Sequence, residues 1–291
     1  MTTAAVASPK GGFGYRHPRA RLAALLGAPM AWLIVVYLGS LAALFLTAFW
    51  MVDGFTGALV RTFTLQNFID AFTTPAYLQV MARTVGIALA VTILCLVLAV
   101  PLAYFMARVA AKRWQPLLVA MILTPLWASY LVKVYAWRAM LSPETGVVAW
   151  FMSPFGLGGP GFGLLSIVIT LTYLWLPYMI LPVYAGFSRL PNSMLDASAD
   201  LGAKSWRTFR SVVVPLIFPS IVAGSIFTFS LSLGDYITAQ IVGGKVQMLG
   251  NVVQQNYVTN LPFAAAFATI PVIIVLIYLA AVRRSGALES L

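Results

Sequence analysis

Six apolar runs, each of roughly 20 residues or more, fall at about 23–50, 82–106, 115–140, 164–188, 209–233 and 262–282. Roughly 20 apolar residues in helical form cross the ~30 Å of hydrocarbon in a bilayer. Inside lipid a segment has to satisfy its own backbone, so these runs are read as helices rather than strands. The charged fraction agrees: 9% of 291 residues, against about a quarter in soluble domains. The expected fold class is an all-α integral membrane protein with six transmembrane helices and both ends on one side.

Basic residues set the orientation, because they accumulate in cytoplasmic loops. With both termini inside, the inner side holds Lys10, Arg16, Arg19, Arg21, Arg108, Lys112, Arg113, Arg189, Lys204, Arg207, Arg210, Arg283 and Arg284. The outer side holds only Arg61, Arg83, Lys133, Arg138 and Lys245. The expected organisation is a cytoplasmic tail at 1–21, a membrane domain at 22–284 and a second cytoplasmic tail at 285–291. The polar, basic residues 1–21 precede a run far longer than a signal-peptide core of ~7–15 residues, so the first helix is read as uncleaved. Trp50 is a candidate marker of its outer interface.

The net charge of +11 is spread over several inner loops, which fits topology and anionic lipid and not nucleic acid. A lone Cys95 excludes an internal disulfide and a multi-cysteine metal site, and His17 is the only histidine. Hydrolysis by Ser–His or His–metal chemistry is thereby made remote. Gly244-Lys245 is followed by valine, and the glycine-rich 156–163 has no lysine, so there is no P-loop. No cofactor is expected in this chain; if ATP drives it, ATP and magnesium sit in another polypeptide.

Between the fourth and fifth runs lies a short polar stretch with its own stop signals, PNSMLDASADLGAKSWRTFRSVVVPLIFP at 191–219. Ser193 and Asp196 are spaced for a capping box, Pro191 keeps the preceding chain extended, and Gly202 supplies a left-handed stop. About eight residues fit between, roughly 12 Å of helix, too short to cross a bilayer. Asp196 and Asp200 share one face, while Met194, Leu195, Ala197 and Leu201 offer an apolar surface that a cavity on another protein would receive. Lys204, Arg207 and Arg210 follow, and Pro215 and Pro219, one turn apart, favour a kink.

This stretch resembles the EAA loop of ABC-importer permeases, Glu-Ala-Ala, three residues, Gly, nine residues, Ile-x-Leu-Pro. Here Asp196-Ala197-Ser198 is followed by Gly202 at the right offset and, nine residues on, by Val212-Val213-Val214-Pro215. The departures are Asp for Glu, Ser for the second Ala, and Val for Ile and Leu. The resemblance implies a coupling helix at about 193–202, docking in a groove of a cytoplasmic ATPase, with Asp196, Ala197, Ser198, Asp200, Leu201, Gly202 and Pro215 as the ATPase-coupling residues. Further segments are similar to the spermidine/putrescine-type branch: Pro125-Leu126-Trp127 through Val134-Tyr135-Ala136-Trp137, Gly234-Asp235-Tyr236, Gly243-Gly244 and Asn260-Leu261-Pro262-Phe263-Ala264. Phe63-Thr64-Leu65-Gln66-Asn67-Phe68 resembles the extracellular segment before the second helix of the same permeases.

Polar groups at membrane depth are costly and point to function by default. Trp127, Tyr130, Tyr135 and Trp137 in the third run, Tyr173 in the fourth, and Asp235 and Tyr236 after the fifth are the candidate substrate-pathway residues. Asp235 is also placed to cap a helix, and Lys133 and Arg138 either snorkel outward or line an outer vestibule. A carboxylate among aromatic faces suits a multivalent cation, which Lys133 and Arg138 would oppose.

The expected function is half of the transmembrane pathway of an ATP-driven importer in the bacterial inner membrane, for a polyamine such as spermidine or putrescine. The partners implied by the resemblance are a second homologous permease, two cytoplasmic ATPase subunits and an extracytoplasmic solute-binding protein. Alternatives are another small solute (iron, a phosphonate, an opine, an amino acid-like compound) or an ATP-independent transporter or channel. The last would ordinarily carry ionisable groups near mid-membrane, and here the helix centres are nearly free of them.

Overall fold

The computed structural model describes residues 18–54, 56–156 and 158–284. Residues 1–17 of the tail expected at 1–21, His17 among them, and the tail expected at 285–291 lie outside them. The helices are α1 (Pro18–Trp32), α2 (Gly39–Thr47), α3 (Gln66–Thr73), α4 (Pro75–Tyr104), α5 (Gln115–Trp127), α6 (Tyr130–Met140) and α7 (Val147–Met152). There follow α8 (Leu164–Arg189), α9 (Asn192–Asp200), α10 (Ser205–Thr208), α11 (Val214–Leu233), α12 (Ile237–Val242), α13 (Leu249–Asn256) and α14 (Leu261–Arg284). Wider π-helical turns at Leu33–Leu38, Phe105–Val109 and Phe209–Val213 join α1 to α2, end α4, and join α10 to α11.

Five stretches are long and apolar enough to cross a membrane, and α5 with α6 makes a sixth span bent by 92°. The expectation of one straight helix over 115–140 is therefore corrected. Ala128 and Ser129 are extended. Pro125 supplies no N–H to Met121, weakening the turn before the break. The first helix begins at Pro18, inside the expected tail, and the second begins at Pro75, where proline in the first turn costs no hydrogen bond. Short helices α7, α12 and α13 occupy stretches between the expected spans. The chain also has one small departure from all-α: β1 (Met51–Val52) pairs antiparallel with β2 (Leu59–Val60). Beside it Asn67 Nδ2 donates to the carbonyls of Ala48 and Trp50 at 2.9 and 2.8 Å, tying α3 to the end of α2.

The core is the triple contact of α4, α8 and α11. Lipid tails are as apolar as leucine, so helices associate in membranes through close packing and small residues. On α4 the fully buried Cys95, Ala99 and Ala103 recur every four residues, along with Val91 and Ile87. They meet Ile167, Leu171, Leu174, Met179, Ile180 and Val183 of α8. Two glycines allow the α8–α11 approach: a Cβ on Gly224 would lie 2.7 Å from Met179 Sδ and 3.2 Å from Met179 Cα, and one on Gly186 would lie 2.6 Å from Ser220 Oγ. By contrast residues 25–47 are almost wholly exposed, and α2 touches the bundle mainly through α14.

Gly224→Val is expected to force α8 and α11 apart and to cost about 1–3 kcal/mol of stability. Thermal unfolding in detergent reads this, with Gly86→Ala, whose Cβ meets nothing within 4 Å, losing none.

Candidate functional site

Two features stand apart along the bundle. The first is built where α11 stops. Gly234, Asp235 and Tyr236 leave the helix, and Asp235, only 8% exposed, is met from three directions. Its Oδ1 accepts the Thr238 N–H at 2.8 Å, which anchors the first turn of α12. Its Oδ2 accepts the Thr238 hydroxyl at 3.2 Å and the Tyr130 hydroxyl, the first residue of α6. Tyr130 also lies 2.7 Å from Thr238 Oγ1 and stacks on Trp175 at 6.0 Å between centroids. The cap and pathway readings of Asp235 therefore share one carboxylate, which fixes both the broken third span and the restart after the fifth.

Neighbouring polar groups stitch the same break. Asn251 Nδ2 donates to the Tyr236 carbonyl at 2.9 Å, Asn251 Oδ1 accepts the Met248 N–H at 2.9 Å, and the Leu249 N–H reaches Thr84 Oγ1 on α4 at 3.0 Å. At Gly250 a Cβ would lie 2.8 Å from that of Tyr236, so only glycine lets α13 approach so closely. A cleft of about 370 Å³ opens between the rings of Tyr130, Trp175 and Tyr236, with Asp235 in its wall. Trp175 stands eleven residues along the 26-residue α8, about 17 Å from its start in a helix of about 39 Å, near the middle of that helix.

Of the expected pathway residues, Tyr130, Asp235 and Tyr236 come together in the cleft. Trp137 and Tyr173 pair with each other, 5.3 Å between centroids. Trp127, 92% exposed at the end of α5, and the exposed Tyr135 lie outside the cleft wall, because the 92° bend separates α5 from α6 and α6 turns Val134 inward instead. Arg138 is committed elsewhere, donating to the Ile241 carbonyl at 2.5 Å with its guanidinium 4.9 Å from the centre of the Phe162 ring. Thr238, Asn251 and Thr84 were not among the expected residues, although an asparagine beside glycine in an apolar stretch is a signal that could have marked Asn251.

The second feature is α9. Gly202 has φ +71° and closes a two-bond helix stop: its N–H reaches the Ala199 carbonyl at 2.8 Å and the Ala203 N–H the Ser198 carbonyl at 3.1 Å. The expected Ser193 capping box is not formed. Pro191 occupies the N-cap position and Asn192 opens the helix, so Ser193 already has helical backbone and cannot cap. Ser198 also departs from its expected role: it is 8% exposed, bonded to Thr208 Oγ1 at 2.8 Å, and faces its own chain. Met194, Asp196, Ala197, Asp200 and Leu201 are exposed, Leu201 at 88%. Pro215 is exposed at the start of α11, one turn after the π-helical Phe209–Val213, whose Ser211 carbonyl its ring would crowd in a regular helix.

The family model for the binding-protein-dependent transport system inner membrane component matches residues 99–284. The chain belongs to this family. As a binding-protein-dependent inner membrane component it is an ABC importer permease subunit with several membrane spans. It is 43% identical to the inner membrane ABC transporter permease protein YdcU of Escherichia coli strain K12, over 96% of this chain and 94% of that one. It is 31% identical to the spermidine/putrescine transport system permease protein PotB of Haemophilus influenzae, over 70% and 72%. Among solved structures, a bacterial ABC transporter involved in import of the acidic polysaccharide alginate matches with a TM-score of 0.70 at 16% identity, covering 93% of this chain and 97% of that one. That likeness concerns the fold.

Tyr130→Phe removes one of three donors to a buried carboxylate and is expected to cost about 1–3 kcal/mol. Tyr135→Phe, at an exposed position, should stay within about 0.5 kcal/mol; thermal unfolding of the two variants side by side checks both.

Proposed function

We propose that this permease forms half of the import pathway for a small organic cation of the polyamine class, driven by two ATPase subunits that grip α9. The observation that carries the cation is Asp235, a buried carboxylate in the wall of an aromatic cleft. Buried charge is costly and is favoured only where it meets a partner or a passing ion. Tyr130, Trp175 and Tyr236 add ring faces suited to ammonium groups. The PotB relatives support the same class, since their names specify spermidine and putrescine. The Arg138 charge, which would oppose a cation, is tied to Ile241 and Phe162 at the far end of α6.

Coupling follows from the second feature. The distribution of basic residues supports a cytoplasmic α9, with both termini on that side. Met194 and Leu201 then form the apolar surface offered to a groove in the ATPase, flanked by the Asp196 and Asp200 carboxylates, while Ser198 holds the helix to α10. ATP and magnesium bind in the ATPase, and this chain performs no hydrolysis. Closure of the ATPases displaces α9, and the π turn and Pro215 at the foot of α11 pass the motion towards Asp235. Alternating access needs such an element with two stable arrangements. A second homologous permease completes the pathway, and an external binding protein delivers the solute; the alginate importer was solved with its periplasmic protein bound.

Purification of the tagged chain from its native host is expected to bring an ATPase with it, and proteoliposomes of that complex with its binding protein should import radiolabelled putrescine or spermidine only with ATP. Import of another solute class alone would overturn the cation. Asp235→Asn should lower import at least about tenfold with assembly intact, the loss of one buried charge contact. Gly202→Asp puts a β-carbon and a charge on a left-handed residue and should uncouple hydrolysis from import; normal uptake at normal expression would count against α9 as the docking helix.

A further inference from the structure

Arg108 sits in the π turn Phe105–Val109 that ends α4, one turn beyond Pro101, and it crosses to the start of α9. Its guanidinium donates to the Leu190 carbonyl at the end of α8 and, at 2.7 Å, to Asn192 Oδ1, the first residue of α9. A planar guanidinium presents a rigid fork, so two acceptors on one side fix direction as well as distance. Among the described residues, α9 is held to the rest of the chain by two side-chain hydrogen-bond junctions: this one at its start, and Ser198 to Thr208 at its centre. Beside it opens a cleft of about 990 Å³, lined by Leu195 and Ala199 of α9, Tyr104 at the end of α4 and Phe209 in the second π turn. Of these α9 residues Leu195 packs on the core, so the position of α9 depends on these struts as well as on apolar contact.

The two junctions lead to different spans. Ser198–Thr208 passes to α10 and, through Phe209–Val213, to α11. Arg108 passes directly to α4, which packs on both α8 and α11. Arg108 Nε is buried without a hydrogen-bond partner, and a buried donor left unmet is unfavourable. π turns are rare and frequent at functional sites, and one lies beside each junction.

We propose that Arg108 is a positioning residue that makes α9 and α4 move as one body, giving the docking helix a second line of transmission into the membrane beside the Pro215 route. This rests on the reading of α9 as the ATPase-docking helix. A merely structural Arg108 would lower the amount of folded complex, whereas a transmitting one lowers the work done per ATP.

The test uses the assembled complex in proteoliposomes. With Cys95 replaced by Ala, spin labels at the exposed Ser193 on α9, outside the docking surface, and at Val97 on α4 report their separation in nucleotide-free and vanadate-trapped states. In the parent the separation is expected to stay constant while both labels move relative to a third at Leu276 on α14. In Arg108→Gln the Ser193–Val97 separation is expected to change between states, and radiolabelled spermidine imported per ATP hydrolysed to fall about tenfold, the worth of one charge-assisted hydrogen bond, with basal hydrolysis within about twofold. Arg108→Lys with Asn192→Asp puts an ion pair across the same gap and is expected to recover constant separation. A constant separation in Arg108→Gln overturns the proposal, as does a separation that already changes in the parent. If Arg108→Gln does not assemble, Asn192→Ala, which leaves the Leu190 bond in place, carries the same two outcomes. A parent complex whose labels do not respond to nucleotide at all, or that purifies without an ATPase, overturns the docking reading of α9 itself.

Discussion

In hydrocarbon no water meets an exposed N–H or C=O, so any place where a span stops short has to bring its own partners. This permease interrupts two spans, after Trp127 and after Leu233. One small set of side chains serves both interruptions. Asp235 accepts the Thr238 N–H in the first turn of α12 and anchors α6 through Tyr130, while Asn251 donates to the Tyr236 carbonyl and supplies an acceptor for Met248. The costliest features of the fold, a buried carboxylate and an unwound backbone, thus compensate each other. Because α6 and α12 share that carboxylate, they cannot be repositioned independently.

The proline pattern works the other way, by loosening helices where they leave the core. Pro101 precedes one π turn by four residues, and Pro215 follows the other by two. Both turns border the cleft beside α9. Between them the α4–α8–α11 contact is dense, with Gly186 and Gly224 leaving no room for a single extra carbon. Rigid middle and yielding end are what a proposed lever needs: a displacement applied at α9 passes to the distant end only if the intervening helices do not absorb it.

How far this was legible in the sequence depended on whether the signal was local. The long spans follow from apolar length alone, and the stop at Gly202 from its left-handed conformation, which few other residues adopt. The broken span at Ala128–Ser129 was missed because the run 115–140 is apolar enough overall to read as one helix; the Tyr130–Asp235 bond that holds α6 after the break forms across 105 residues. The Ser193 cap failed for a local reason, since Pro191 took that position. Ser198 matched the motif by spacing yet faces inward, because a helix this short has to bury something to stay in place. Arg108 counted in the sequence only as one basic residue among many, and its two acceptors lie 82 and 84 positions away.

On the reading that an organic cation passes Asp235, the carboxylate being already met by three donors has a consequence for rate. A site in a pathway has to be favourable enough to enter and weak enough to leave. An incoming ammonium gains only the difference between its own contact and that of the Tyr130 hydroxyl it displaces, which makes the well shallow without removing the charge. The displaced phenol belongs to α6, so occupancy of the cleft also releases one of the two elements that the carboxylate holds. Solute arriving at the cleft would thereby loosen the broken span at the moment α9 is drawn from below, and the two features of the molecule would meet at a single side chain.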